Sequence, residues 1–139
     1  MIKKVSVALG PEELATELRE FADQNDRQCL LISGFKKHAD LKKFVRSVAV
    51  PPALLPQLVG STIHFTNMEV SVPDGRSFWA LGLVGNPELQ SSMYADAAAS
   101  QGLIVANVSQ QKIRVRGQEN APIAVSECSG VLHNVWPKD

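Results

Sequence analysis

The chain has 139 residues and is 45% hydrophobic, enough to fill one core without disulfides or bound metal. Its 14 basic side chains are balanced by 14 acidic ones, which excludes the long-range field of an obligate nucleic-acid or membrane-surface binder and leaves only local patches for such work. Cys29 and Cys128 lie far apart without close-spaced partners and no apolar run reaches bilayer length, so the expectation is one soluble cytoplasmic domain, 1–139, with no membrane contact.

In chain order, Ile2–Leu9 reads as a strand, its apolar run too short for a signal-peptide core. Gly10-Pro11-Glu12-Glu13 opens a helix, with proline in the first turn and acids at the positive end of the dipole; Leu14, Leu18, Phe21 and Ala22 then share one face. Asn25-Asp26 closes that helix and Cys29–Ile32 is a second strand, completing an N-terminal βαβ unit. The charged residues of this first helix read as a solvated face.

Ser33-Gly34 follows the strand directly. Phe35–Val48 then carries Leu41, Phe44, Val45 and Val48 on one stripe and Lys36, Lys37, Lys42, Lys43 and Arg46 elsewhere, a basic amphipathic helix that Pro51-Pro52 ends. Ala53–Val59, interrupted by Pro56, is at most one or two helical turns. The order of residues from Val7-Ala8-Leu9-Gly10-Pro11-Glu12-Glu13-Leu14 through Leu31-Ile32-Ser33-Gly34-Phe35 resembles the opening of the small prokaryotic PPC domains. That family carries a clustered histidine motif for metal, and here the corresponding region offers His64 alone, so no site residue is carried over.

From Thr62 the pattern turns to strands. Ile63 and Phe65 have one parity and Met68, Val70 and Val72 the other, so an irregularity near Thr66-Asn67, a bulge, is expected. Pro73-Asp74-Gly75 is turn chemistry, making 62–84 a central hairpin. Phe78–Val84 is an almost unbroken apolar run; Gly85 stops it, Asn86-Pro87 opens a helix, Gly102 ends that helix, and Leu103–Val108 is a second buried run. This reads as a second βαβ unit whose strands are parallel and adjacent or near-adjacent. Lys112–Arg116 is a one-sided basic strand, and Ile123–Val125 and Val131–Val135 are short C-terminal strands. The expected fold class is α/β or α+β, a single-domain sandwich with a mixed sheet.

Candidate chemistry is sparse. Glu127-Cys128 with His133 is the one arrangement that suggests a nucleophile, but Cys128 has the opposite parity from Ile123 and Val125 and reads as structural. No Cys-x-x-Cys or His-x-x-x-His spacing suggests a metal, and no cofactor is expected. Two positive features remain. Ser33, Gly34, Lys36 and Lys37 gather at a strand-to-helix turn, where free backbone N–H groups attract anions. Lys42, Lys43 and Arg46 on the basic helix, with Lys112, Arg114 and Arg116 on the basic strand, form two positive faces. They favour a non-enzymatic binding or regulatory domain for an anionic ligand or a protein partner. The alternatives are an enzyme on a phosphorylated or carboxylated small molecule at the strand-to-helix turns, and a nucleic-acid binder through residues 36–46 and 112–116. An unpaired C-terminal strand edge beside Trp136 also suggests a homo-oligomer.

Overall fold

The computed structural model describes residues 5–23, 28–48, 62–84 and 87–134. The features expected at Asn25-Asp26, Pro51–Val59, Gly85-Asn86 and Trp136 lie outside them. The strands are β1 (Val5–Leu9), β2 (Gln28–Ser33), β3 (Thr62–Ser71), β4 (Ser77–Val84), β5 (Ile104–Ser109), β6 (Lys112–Val115), β7 (Ile123–Ala124) and β8 (Ser129–Asn134). The helices are α1 (Pro11–Asp23), α2 (His38–Ser47) and α3 (Pro87–Ser100), with a 3₁₀ turn at Val125–Glu127.

These elements make an α+β fold around one sheet, in the order β1-β8-β3-β4-β2-β5-β6-β7. Every described pairing is antiparallel, which corrects the expected mixed sheet. The reason lies in where the crossovers land. β4 and β5 both run antiparallel to β2, so they run in the same direction as each other, with β2 between them. α3 therefore returns the chain two strands away, a sideways step of about 10 Å, and not to a hydrogen-bonded neighbour. β1 and β2 likewise share a direction, with β8, β3 and β4 between them. Neither strand-helix-strand segment is a βαβ unit in the adjacent, parallel sense.

The β3–β4 hairpin turns at Pro73-Asp74-Gly75, where Gly75 adopts φ 94° and its N–H donates to the Val72 carbonyl at 3.0 Å. Asp74 accepts from the Arg76 backbone at 3.0 Å and from Arg76 Nε at 2.7 Å, and these bonds hold its carboxyl below the usual range. The register shifts between Phe65 and Glu69, four steps on β3 facing two on β4, at the irregularity expected near Thr66-Asn67. Of the short C-terminal strands, β8 lies between β1 and β3, whereas β7 ends the described sheet with β6 as its one partner strand.

The sheet curls about α1, whose contacts run from β1 and β8 to the 3₁₀ turn beyond β7. Pro11 occupies the first turn, and the Glu13 carboxylate accepts from the Gly10 N–H at 3.2 Å, fixing the helix start. Leu14 and Leu18 are fully buried against Cys29, Leu31, Val70, Phe78 and Ile113. On the other side, α2 and α3 cover Leu30, Ile32, Leu81 and Val105 with Phe44, Tyr94, Ala95 and Ala98. α3 ends as expected at Gly102, φ 78°, with the Leu103 N–H donating to Ala98 at 3.0 Å.

Candidate functional site

The Ser33–Lys37 turn differs from its sequence pattern. α2 begins at His38, not at Lys36, and Lys37 is its N-cap, with extended backbone and no side-chain cap. Lys36 and Lys37 are exposed, but Ser33 is buried at the end of β2. Gly34, at φ 121°, lies against Leu103, whose Cδ2 is 2.6 Å from where a Cβ would stand. The glycine therefore admits a core side chain at this point. Asp40 places a carboxylate in the first turn of α2, which weakens the positive end of the dipole.

The two basic faces occupy different hollows. Lys43 lines one with Asp40, Phe44, Ser47 and Gln101, and Arg116 lines another with Arg76, Ala99 and Gln118. Leu103 belongs to both walls. Arg116 lies beyond β6 and its guanidinium meets Asp96 of α3 at 2.7 Å, so the row Lys112, Arg114, Arg116 is neutralised at one end. Lys112 is exposed and Arg114 half-buried on β6, and Lys42 and Arg46 lie on α2 as expected.

Cys128 is buried in the α1-side core, its thiol directed to the Ala124 carbonyl at 3.5 Å. Burial pushes its pKa up, and Glu127 adds to the rise. His133 faces the opposite side of the sheet, so the Cys128–His133 arrangement does not form. Among the described residues no group of three His, Cys, Asp or Glu side chains is placed to hold a metal, and no helix is long and apolar enough to cross a membrane.

Two arrangements that sequence reasoning missed have more defined geometry. The first is a cleft of about 180 Å³ between α1 and the β5–β6 turn, walled by Ala15, Leu18, Val108 and Val125 and bordered by Arg19, Gln110 and Gln111. Ser109 pairs with Lys112, so Gln110-Gln111 is a two-residue hairpin loop, and both residues have positive φ, 53° and 61°. Such loops favour asparagine and glycine, because a β-carbon at positive φ costs roughly 1–2 kcal/mol per residue. The Val125 N–H donates to the Gln111 carbonyl at 3.0 Å and ties the loop to the cleft wall. Arg19 is exposed and makes no ion pair among the described residues, while Glu13, Glu17 and Glu20 project from the far side of α1 by helical spacing. The sequence signal was Ser-Gln-Gln-Lys joining two apolar-periodic runs without the usual turn residues.

The second arrangement crosses four strands. Ser6 faces His133 in the β1–β8 register, and Ser6 Oγ lies 3.0 Å from His133 Nδ1. Glu69 of β3 brings Oε1 to 3.6 Å from His133 Nε2. Trp79 of β4, directly opposite Glu69, lays its ring 5.4 Å from the imidazole at an interplanar angle of 32°. No spacing in the sequence announces this group, because strand order alone brings its members together.

No family model, curated protein or solved structure matches the chain. The resemblance of residues 7–35 to the PPC domains therefore transfers neither activity nor site.

Proposed function

We propose that this protein is a binding domain for a small carboxylated or similarly anionic molecule, held in the cleft between α1 and the β5–β6 turn. The observation that carries the reading is the Gln110-Gln111 pair at positive φ on the border of that cleft. Asparagine-glycine would close the same hairpin at lower cost, so the two glutamines hold local strain, and strain of this kind gathers at functional sites. Arg19 supplies a forked cation for a carboxylate or phosphate, the glutamine amides supply donors and acceptors, and Leu18, Val108 and Val125 offer an apolar wall. A cleft of 180 Å³ suits a ligand of few atoms. For such a ligand about −4 kcal/mol, a Kd near 1 mM, is the natural scale.

The anionic ligand expected from the sequence is kept, but its place moves from the start of α2 to the α1 cleft. The uncapped N-terminus of α2 behind Lys36 and Lys37 supports a second, weaker anion position. Titrating the full chain with butyrate and with inorganic phosphate, while following backbone amide signals, tests both. Shifts at Gln110, Gln111 and Val125 that vanish in Arg19→Gln support the cleft. Shifts confined to Ser33–His38 move the site to α2. If no signal moves at about 10 mM, ten times the expected Kd, both positions are refuted.

A further inference from the structure

We infer that Ser6, His133 and Glu69 form an acyl-transfer site in which Ser6 is the nucleophile, independent of the anion cleft. The inference rests on how the three side chains and Trp79 are placed, on β1, β8, β3 and β4, which are neighbours in that order across the sheet. Ser6 is exposed, so its hydroxyl is open to a reactant, while His133 Nε2 is buried and makes no hydrogen bond. A distance of 3.6 Å is too long for a hydrogen bond to Glu69 Oε1 but close enough for the carboxylate to act on the ring's charge. The carboxylate favours the tautomer with its proton on Nε2, which leaves Nδ1 as the acceptor for the Ser6 hydroxyl 3.0 Å away. Trp79 against the ring limits its rotation, so nucleophile, base and orienting acid are held by rigid strands.

In the first step Ser6 Oγ attacks the carbonyl carbon of an ester, and its proton passes to His133 Nδ1. Glu69 stabilises the imidazolium. The bond from carbon to the alcohol oxygen then breaks, and the alcohol leaves with the proton from Nδ1. In the second step water attacks the acyl-serine, gives a proton to Nδ1, and the acid departs as Ser6 Oγ regains that proton. Among the described strands β1 pairs on one side only, with β8, so Ser6 stands on an edge strand. Ala8 and Val131 share the parity of Ser6 and His133, and Glu69 is an anion beside the base. Substrates are therefore uncharged acyl esters, not carboxylated ones.

The test is covalent labelling of the full chain with an uncharged fluorophosphonate ester, with the modified residue located by peptide mass spectrometry. The expected adduct is on Ser6 and absent in Ser6→Ala. Its rate falls by about 100-fold in His133→Gln, the lower range for losing a positioned base. Glu69→Gln slows labelling by less than His133→Gln does, and both variants keep the circular dichroism of the folded wild type. No adduct on Ser6, or labelling of Ser6 at the same rate in a folded His133→Gln protein, overturns the inference.

Discussion

The two faces of the sheet are sealed in different ways. On the α1 side the core is continuous from Leu9 of β1 to Val125 beyond β7, because the curled sheet brings both ends to a single helix. On the α2–α3 side the strand residues of the buried apolar cluster, among those described, come from β4, β2 and β5: Leu81, Leu30, Ile32 and Val105. Outward from that cluster the face carries Trp79 of β4, Glu69 of β3, His133 of β8 and Ser6 of β1. The same strands build both faces, so the difference comes from alternate residues and from which helix lies above them. A curled sheet lets one amphipathic helix close a whole face, whereas two helices on the outer side leave strand positions for polar chemistry.

The sharpest test of this contrast is Leu18→Ala against Val131→Ala. Leu18 is fully buried on the continuous side, and its truncation is expected to cost about 3 kcal/mol in urea unfolding. Val131, half-buried on the polar part of the other face, should cost about 1 kcal/mol or less. Equal losses would break the comparison.

Gly130→Ala probes how tightly α1 sits on the sheet, since an added Cβ would meet Leu14 Cδ1 at 2.7 Å and the Glu69 carbonyl at 3.3 Å. A loss of about 2 kcal/mol is expected, smaller in a Leu14→Ala background, where the clash with the leucine is gone. The reverse sign is expected at the rim of the same face. Gln110→Asn/Gln111→Gly relieves positive φ and should stabilise the protein by about 1–2 kcal/mol while abolishing the butyrate shifts.

The Arg116–Asp96 pair at the surface is largely solvated, so Asp96→Asn should change stability by about 1 kcal/mol or less, with the effect fading in high salt. The smallest effect concerns Cys128. Its pKa is raised from 9.0 by burial, so on raising pH the unfolded thiol ionises before the folded one, and stability falls as pH passes upward through that value. Iodoacetamide should accordingly modify Cys128 more slowly than a free thiol at pH 8, and faster reaction would contradict its burial.

Much of the local structure was legible. Pro11 with Glu13, Pro73-Asp74-Gly75 and Gly102 mark boundaries that depend on neighbours within a few residues, and the structure uses each of them. The start of α2 was misread by two or three residues, because Lys36 and Lys37 continue a polar pattern without supplying a cap. Of the candidate sites, the anion turn is legible as Ser33, Gly34, Lys36 and Lys37 in succession, but not that Leu103, far along the chain, fills the space beside Gly34. The basic row on β6 was legible as a row, but its counter-charge on Asp96 was not.

By itself the sequence determined the number and kind of most elements, their turns and the parity of each strand, since these follow from backbone preference and apolar spacing over short range. Tertiary structure decided the rest: that β2 enters between β4 and β5, that β8 enters between β1 and β3, and so that every described pairing is antiparallel. Ser6, Glu69 and His133 meet only through that order, as do Arg19 and Gln110. Strand neighbours are chosen by the burial of both faces of the whole sheet at once, a condition that no local window of sequence contains.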